Sequence, residues 1–377
     1  MYIIERILKK KGLIWKMTGY LLLENGEVFE GERIGAHKEA ICEIVFNTSM
    51  AGYLEIFTDP SYAGQGVVLT YPLIGNYGAI TKDEESRKAW VEAVFLHELA
   101  PVESNFRSEM NLNDYLLEND IPGLQGINTR KLTKILRKSG TMKGMLTDDL
   151  KKKEELIKKL QQTPLEKNLV RKVTTKEIET AGKGELEVAL FNFGSKRNIV
   201  KSLTKRNCKV TVFPAETKAE EILKGNFDGI VLSNGPGDPE ECKEEIQEIK
   251  KLYETDIPIL GICLGHQLMG LATGCKTAKL RYGHRGPNQP VKDLKADRVY
   301  ITSQNHGYYI EENSVNPEIA EVSHINLNDN TVEGLRYKNK EIVTVQFHPE
   351  ACPGPEDTAY LFDEFVKVME ERKNATK

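Results

Sequence analysis

The stretch IPILGICLGHQLMGLATG, residues 257–274, decides the fold. Apolar residues 257–260 are typical of a buried strand, GICLG (261–265) follows, and a helix-like segment comes next. A cysteine between two glycines at such a turn has the form of a nucleophile elbow, which holds its side chain exposed in a strained conformation. The turn places the Cys263 thiol at a helix N-terminus, whose partial positive charge favours thiolate, and the Leu264 amide where it can stabilise an oxyanion. The alternative for Cys263 is a buried, inert cysteine.

Outward from this turn, residues 187–262 alternate short apolar strand patterns with amphipathic helix patterns. This alternation predicts βαβ units and therefore an α/β domain with a doubly wound, mostly parallel sheet that carries helices on both faces. Ligands bind beyond the carboxyl ends of the strands in such sheets. The residues immediately after each strand are therefore the candidates for chemistry.

A candidate base follows a second strand pattern, IVTVQF (342–347). His348 comes next, and Pro349 behind it favours an extended backbone. Residues two apart in an extended chain project to the same side, so Glu350 can orient the His348 imidazole. The pattern predicts a Cys263–His348–Glu350 triad of nucleophile, base and orienting acid. His266, one helical turn after the cysteine, is more typical of a structural histidine.

A third strand end carries SNGPGDP, residues 233–239. Two glycines around a proline make a rigid turn whose backbone N–H groups can approach a ligand, so Gly235 could be the second oxyanion donor and Gly237 could touch substrate. An ordinary turn is the alternative. The sequence contains no G-x-x-x-x-G-K-[ST] and no G-x-G-x-x-G after a strand, so no nucleotide-binding loop is predicted.

The other half of the chain begins as β structure and predicts a smaller, β-rich α/β N-terminal domain. Asn25-Gly26 between two apolar segments predicts a hairpin, and amphipathic helices are predicted within residues 127–140 and 148–164. Met17 precedes the first strand pattern and could be the true start. The predicted units are an extension of unassigned role (1–16), the N-terminal domain (17–173), a polar linker (174–186), the C-terminal domain (187–372) and a tail (373–377).

Composition limits the possible partners. The chain has 377 residues, 40% hydrophobic residues, a formal net charge of -4 and six dispersed cysteines. No apolar run approaches the roughly 18 residues of a membrane span, and no basic field for nucleic acid is present. Scattered cysteines and an N-terminus that lacks the apolar core of a secretory signal predict a reducing, cytoplasmic location.

The combination of GICLGHQ, SNGPGDP and FHPE (347–350) resembles the class I glutamine amidotransferases. These enzymes have a flavodoxin-like fold and hydrolyse the side-chain amide of L-glutamine to glutamate and ammonia through a cysteinyl thioester. The resemblance implies that Cys263 is the nucleophile, His348 the base and Glu350 the orienting acid.

Further stretches across the chain resemble the small chains of carbamoyl-phosphate synthetase. They are FNTSMAGYLEIFTDPSYAGQ (46–65), LTYPLIGNYG (69–78), SNFRS (104–108), INTRKLTKILRKSG (127–140), YGHRGPNQPV (282–291), SQNHGYYI (303–310) and FHPEACPGPEDTAYLFDEF (347–365). This resemblance implies a glutamine site formed by Ser49, Gly235, Gly237, Leu264, Gln267, Asn305, Gly307 and Tyr308, with Leu264 and Gly235 as the oxyanion donors.

Residue chemistry supports part of that set. Gln267 lies one helical turn after Cys263, where its amide can hydrogen-bond the polar end of a substrate. Asn305 and Gly307 are expected in a loop between strands. Four positions depart from the family pattern and leave local contacts open, namely Asn128, Arg285, Pro287 and Gln289.

The resemblance also implies a partner. A large synthetase chain would use bicarbonate and two ATP with Mg, and would receive ammonia through an internal tunnel, for arginine or pyrimidine synthesis. This chain itself would bind no metal or cofactor, and the assembly would be a heterodimer or a higher oligomer of heterodimers. The alternatives are a stand-alone γ-glutamyl thiol hydrolase, which leaves the N-terminal half unexplained, and a non-catalytic docking partner, which leaves the triad idle.

Overall fold

A computed structural model of the chain describes residues 17–375, so the prediction about residues 1–16 lies outside the described part. The strands are β1 Thr18–Leu23, β2 Val28–Gly35, β3 Ala40–Asn47, β4 Gln65–Leu69, β5 Leu73–Ile74, β6 Ala93–Phe95, β7 Glu98–Leu99, β8 Pro122–Gln125, β9 Met142–Thr147, β10 Glu179–Ala181, β11 Leu186–Asn192, β12 Cys208–Pro214, β13 Gly229–Leu232, β14 Ile259–Ile262, β15 Thr277–Asp293, β16 Arg298–Ile310, β17 Ala320–Asn326, β18 Val332–Tyr337 and β19 Ile342–Val345. The α-helices are α1 Tyr53–Thr58, α2 Leu112–Glu118, α3 Thr129–Ser139, α4 Lys153–Gln162, α5 Leu169–Val173, α6 Arg197–Thr204, α7 Ala219–Leu223, α8 Lys243–Tyr253, α9 Leu264–Ala272 and α10 Tyr360–Ala375.

The N-terminal half is built around a closed barrel with the strand order β1-β2-β8-β6-β4-β3-β9. The predicted hairpin is confirmed, because β1 pairs antiparallel with β2 and Gly26 takes the left-handed backbone (φ 87°) that the turn requires. The predicted helices are confirmed as α3 and α4. Asn128, a departure from the family pattern, caps α3 because its side chain accepts a hydrogen bond from Lys131 N at 2.8 Å.

The C-terminal half contains a ten-stranded sheet with the order β10-β12-β11-β13-β14-β19-β18-β17-β15-β16. Strands β12, β11, β13, β14 and β19 are parallel and alternate along the chain with helices, which confirms the predicted α/β class. The sheet continues through β18, β17, β15 and β16 by antiparallel pairing. The expectation of a mostly parallel sheet therefore describes the five-stranded centre and omits this antiparallel extension.

Part of the predicted linker belongs to the sheet. β10 pairs antiparallel with β12 and forms one edge, although its residues are polar. Thr174 is buried, and its hydroxyl donates to Asn192 O at 2.6 Å and accepts from Ala215 N at 3.0 Å. A strand at the edge of a sheet can pair through its backbone without an apolar face, so the polar sequence of β10 did not predict a strand.

The barrel contacts the sheet at the carboxyl ends of the parallel strands. Asn234, which follows β13, donates to Ser61 Oγ at 3.0 Å. Asn305, in β16, donates to Asp59 Oδ2 at 3.1 Å. These contacts hold the barrel loops over the edge where ligands bind in such sheets. Within residues 17–375, no helix is both long and apolar enough to cross a membrane.

Candidate active site

The elbow places its strain on the cysteine itself. Cys263 has φ 53° and ψ -102°, a backbone conformation that is costly for a residue with a side chain. The glycines that flank it, Gly261 and Gly265, are needed because neighbouring atoms pack where a Cβ would stand. A Cβ on Gly265 would lie 2.2 Å from Leu232 O, and one on Gly261 would lie 2.7 Å from Thr344 Cγ2.

The thiol of Cys263 is buried, with the residue 2% exposed. Its Sγ lies 3.7 Å from Asn305 O, to which the S–H donates, and 3.7 Å from Gln346 Nε2.

Burial raises the pKa of the Cys263 thiol, and the negative charges of Asp59 and Glu350 raise it further. The N–H of Leu264 and the charge of Lys196 act in the opposite direction but do not compensate. The N–H of Leu264 at the helix N-terminus lowers the pKa of the thiol, as expected, but burial has the larger effect and the net shift is upward. The nucleophile needs a base that removes its proton during the attack.

His348 and Glu350 form the predicted contact, since His348 Nδ1 lies 2.7 Å from Glu350 Oε1. The other ring nitrogen, Nε2, is buried and has no hydrogen-bond partner among the described residues. His348 also donates its backbone N–H to Ser303 O at 2.9 Å, which fixes the segment behind β19. Because β14 and β19 are adjacent and parallel, Cys263 and His348 emerge at the same edge of the sheet.

A buried lysine completes this arrangement. Lys196 Nζ lies 2.7 Å from Glu350 Oε1 and donates to Ala351 O at 2.6 Å. The charges of Lys196 and His348 lower the pKa of Glu350 to about 2 against the effect of burial. Glu350 is therefore a permanent anion that orients the imidazole.

A cavity of about 450 Å³ lies beside the thiol. It is lined by Cys263 and by most of the residues expected to bind glutamine, namely Gly235, Gly237, Gln267, Asn305, Gly307 and Tyr308. Ser49 and His348 line a smaller adjoining cavity, and Asn305 lies between the two because it lines both. The Ser49 hydroxyl is buried there without a hydrogen-bond partner among the described residues.

Strand β16 forms one wall of the large cavity and contains Asn305 and Gly307, so the expectation of a loop at these two residues is wrong. Gln267 Nε2 donates to Tyr308 O at 2.8 Å and to Gln346 Oε1 at 3.0 Å, which leaves its carbonyl oxygen to accept from a ligand. Gly235 packs so closely that a Cβ there would lie 2.3 Å from Phe193 O.

The sequence analysis did not predict two residues of the site, Lys196 and Asp59. Lys196 follows the parallel strand β11, and its position beyond the carboxyl end of that strand could have indicated a site residue. Asp59 lies in the barrel half and accepts hydrogen bonds from Ser61 N at 2.9 Å and from Asn305. Nothing in the sequence around Asp59 indicates that it reaches the other half of the chain.

His306 of β16 belongs to a buried polar cluster with His284 of β15 and Glu333 of β18. His284 contacts Asp329 at 2.8 Å and Glu333 at 3.4 Å, and hydrogen bonds to these carboxylates raise its pKa to about 9 against the effect of burial. His306 Nδ1 lies 2.8 Å from Tyr308 O. The cluster supports the strand that forms the cavity wall.

His266 is structural as expected, because its Nδ1 lies 2.8 Å from Thr344 Oγ1 and burial lowers its pKa to about 3. All six cysteines are free thiols, and only Cys352 is not fully buried.

The chain is similar to known proteins over nearly its whole length. Residues 189–368 match the model of the class I glutamine amidotransferases, and residues 21–146 match that of the carbamoyl-phosphate synthase small chain, CPSase domain. The carbamoyl phosphate synthase small chain of Clostridium perfringens is 52% identical over 93% of this chain and 99% of its own length. That of Listeria monocytogenes is 50% identical over 93% and 96%, and the pyrimidine-specific small chain of Bacillus subtilis is 48% identical over 94% and 96%.

The first of these relatives is more than half identical over almost all of both chains, so the similarity covers both the barrel half and the half that contains Cys263 and His348. This chain belongs to the family of carbamoyl phosphate synthase small chains.

Proposed function

We propose that the chain is the glutaminase subunit of a glutamine-dependent carbamoyl phosphate synthase. The observation that carries this proposal is the strained, buried Cys263 at the same sheet edge as His348, whose imidazole is held by the Glu350–Lys196 pair. A permanent anion behind a histidine with one free nitrogen suits a base that accepts and returns a proton.

In the first half of the reaction, Cys263 Sγ attacks the amide carbon of glutamine as its proton passes to His348 Nε2. A sulfur–carbon bond forms, and the amide oxygen becomes an oxyanion that the N–H groups of Leu264 and Gly235 stabilise. The carbon–nitrogen bond then breaks as His348 returns the proton to the nitrogen. Ammonia departs, and a glutamyl thioester remains on Cys263.

In the second half, His348 takes a proton from water while the water oxygen bonds to the thioester carbon. The carbon–sulfur bond breaks, glutamate leaves, and the proton returns to Cys263 Sγ. Burial raises the pKa of the thiol. We therefore expect its proton to pass to His348 as the sulfur–carbon bond forms in each turnover.

Ammonia released into water near neutral pH becomes ammonium and is no longer a nucleophile. The partner is therefore a large synthetase chain that binds this chain in a heterodimer and receives ammonia directly. Bicarbonate, ATP and Mg are bound by that large chain, and the complex acts in the cytoplasm. The name small chain carried by the relatives supports such a partner.

The test is mass spectrometry of the full chain after incubation with an electrophilic glutamine analogue, with and without excess glutamine. We expect one adduct on Cys263 that glutamine suppresses, and no adduct on the Cys263→Ser variant. A folded chain that stays unlabelled both alone and with the large chain would contradict the proposal.

A further inference from the structure

Asp59 is a buried carboxylate at the candidate active site that the mechanism above does not use. It belongs to the barrel half, is 5% exposed, and lines the smaller cavity together with His348 and Lys196. Within residues 17–375 no cation forms an ion pair with Asp59, and Lys196 Nζ contacts Glu350 instead. Burial of a charge is costly unless hydrogen bonds surround it. The hydrogen bonds that Asp59 accepts therefore indicate its role.

The barrel half fixes the position of this carboxylate. Asp59 caps a short 3₁₀ helix, Pro60–Tyr62, because its Oδ1 accepts from Ser61 N at 2.9 Å. The backbone N–H of Tyr62 donates to Asp59 O at 3.0 Å. Tyr62 is fully buried, and its hydroxyl accepts from Asn47 Nδ2 of β3 at 2.8 Å. The carboxylate of Asp59 is thus held by the barrel through contacts that do not involve the sheet half.

Two asparagines of the sheet half meet this rigid turn of the barrel. Asn305 Nδ2 donates to Asp59 Oδ2 at 3.1 Å. Asn234 Nδ2 donates to Ser61 Oγ at 3.0 Å and lies 3.5 Å from Asp59 Oδ1. The other end of the Asn234 amide, Oδ1, accepts from the backbone N–H of Lys196 at 3.1 Å. One turn of the barrel therefore fixes two separate segments of the sheet half.

These two segments adjoin the nucleophile. Asn305 O accepts the S–H of Cys263, with a distance of 3.7 Å between the two heavy atoms. Asn234 directly precedes Gly235, the second oxyanion donor of the proposed reaction. A Cβ on Gly235 would lie 2.8 Å from Leu264 Cδ2, so this loop packs closely against the elbow. A shift of either asparagine would therefore change the surroundings of the Cys263 thiol.

We propose that Asp59 is a positioning residue for glutamine hydrolysis, through which the barrel half holds Asn305 and the Asn234 loop against the elbow. This inference rests on the proposed glutaminase function and gives the barrel half a direct part in the reaction. A misplacement of about 1 Å can slow an enzymatic step about 10²-fold. Asp59 lines the smaller cavity and not the large one. Its loss should therefore slow the reaction more than it weakens glutamine binding.

The first test measures glutamine hydrolysis by the full chain in complex with its large chain. Asp59→Asn keeps the shape of the side chain but leaves one oxygen for donors that converge on two. We expect kcat to fall about 10- to 100-fold and KM to change less than about threefold. Asp120→Asn, at a barrel carboxylate whose side chain is 76% exposed, should leave both constants unchanged. If thermal unfolding shows that Asp59→Asn is not folded, Asp59→Ser, which keeps a capping oxygen for Ser61 N, replaces it.

The charge of Asp59 provides a second readout that a merely structural role would not change. The negative charges of Asp59 and Glu350 raise the pKa of the Cys263 thiol, whereas the charge of Lys196 lowers it, and the Arg285 guanidinium also interacts with this thiol. Iodoacetamide should therefore alkylate Cys263 about three- to tenfold faster in Asp59→Asn between pH 6 and pH 9, although this variant hydrolyses glutamine more slowly. Mass spectrometry measures the alkylation, and the other buried cysteines should react as slowly as in the wild type.

Three results would overturn the inference. They are a kcat within about threefold of the wild type in a folded Asp59→Asn variant, a raised KM without a fall in kcat, and an unchanged rate of Cys263 alkylation. A wild-type complex that does not hydrolyse glutamine would instead refute the proposed function.

Discussion

The parallel centre of the large sheet and its antiparallel extension contribute different parts of the site. Cys263 and His348 follow parallel strands, as does Lys196, and each is placed just beyond a strand end. Arg285 and Asn305 instead lie within the long strands β15 and β16. In the proposed reaction, the parallel edge supplies the reacting groups, whereas the extension forms a wall of the cavity beside them.

The largest effect should come from the nucleophile at the parallel edge. Cys263→Ser should lower glutamine hydrolysis by at least about 10³-fold, because a hydroxyl is far less acidic than a thiol in the same buried position. Steady-state glutaminase assays measure this loss, and thermal unfolding should show an intact fold. Cys242→Ala, at a buried cysteine outside the cavities described above, should retain the activity. A Cys263→Ser variant within tenfold of the wild type would place the chemistry elsewhere.

Lys196→Ala should have the next effect, because it leaves the Glu350 carboxylate buried without its cation. We expect a loss of about 3 to 5 kcal/mol in unfolding free energy and a fall in kcat of about 10- to 100-fold. Lys205→Ala is the matched control, because Lys196 directly precedes helix α6 and the exposed Lys205 directly follows it. Equal unfolding free energies for the two variants would show that the buried pair contributes nothing to stability.

The acid limit of stability should shift in the same variant. The lowered pKa of Glu350, about 2 in the folded chain, means that its stabilisation is present above the ordinary carboxyl pKa and is lost as pH falls through about 2. Without Lys196 that pKa rises toward or above the ordinary carboxyl value, so the variant no longer has this pH-dependent stabilisation to lose. Denaturant unfolding between pH 2 and pH 7 should therefore give a shallower acid side for Lys196→Ala than for the wild type, and an equally steep one would contradict this role of the ion pair.

The antiparallel extension should show the opposite pH dependence. The pKa of His284 is raised from 6.5 to about 9, so its stabilisation is complete below 6.5 and disappears as pH rises through about 9. The shift corresponds to about 3 kcal/mol of unfolding free energy. His284→Gln should flatten the profile between pH 6.5 and 9, whereas substitution of the exposed His37 should not. Parallel profiles for wild type and His284→Gln would contradict this role.

The smallest effect lies in the barrel, away from the sheet. Gly26→Ala should cost about 1 kcal/mol, because alanine resists the left-handed backbone at φ 87°. A Cβ there would meet Ile157 Cδ1 at an ordinary 3.6 Å, so no clash adds to this cost. Gly26→Asn should cost less, since asparagine tolerates that backbone, and urea unfolding can rank the three chains. A cost for Gly26→Asn as large as that for Gly26→Ala would point to another cause.

The sequence predicted the parallel centre and the contact between His348 and Glu350 because both depend on short local patterns. The elbow needs only one strand, two glycines and one helix, and His348 and Glu350 are two residues apart. The strand that contains Asn305 and Gly307 was missed, because asparagine and glycine disfavour strands and only the long pairing of β15 with β16 overrides that preference.

Burial of charged groups was not accessible from the sequence in the same way. A single lysine after a strand is normally solvated, so Lys196 gave no sign that it would become 2% exposed against Glu350. The net direction of the Cys263 pKa shift was inaccessible for the same reason, because a helix N-terminus can be predicted from a pattern whereas desolvation depends on the whole fold.

The hydrogen bond from Asn305 to Asp59 limits how far the two halves of this chain can be treated as modules. Asn305 lines both cavities, yet its amide is held by a carboxylate that the barrel supplies. Grafting another N-terminal half onto this amidotransferase half would have to provide an equivalent carboxylate at the same place. The interface between the two halves therefore passes through the candidate active site, and any exchange of one half has to preserve this contact.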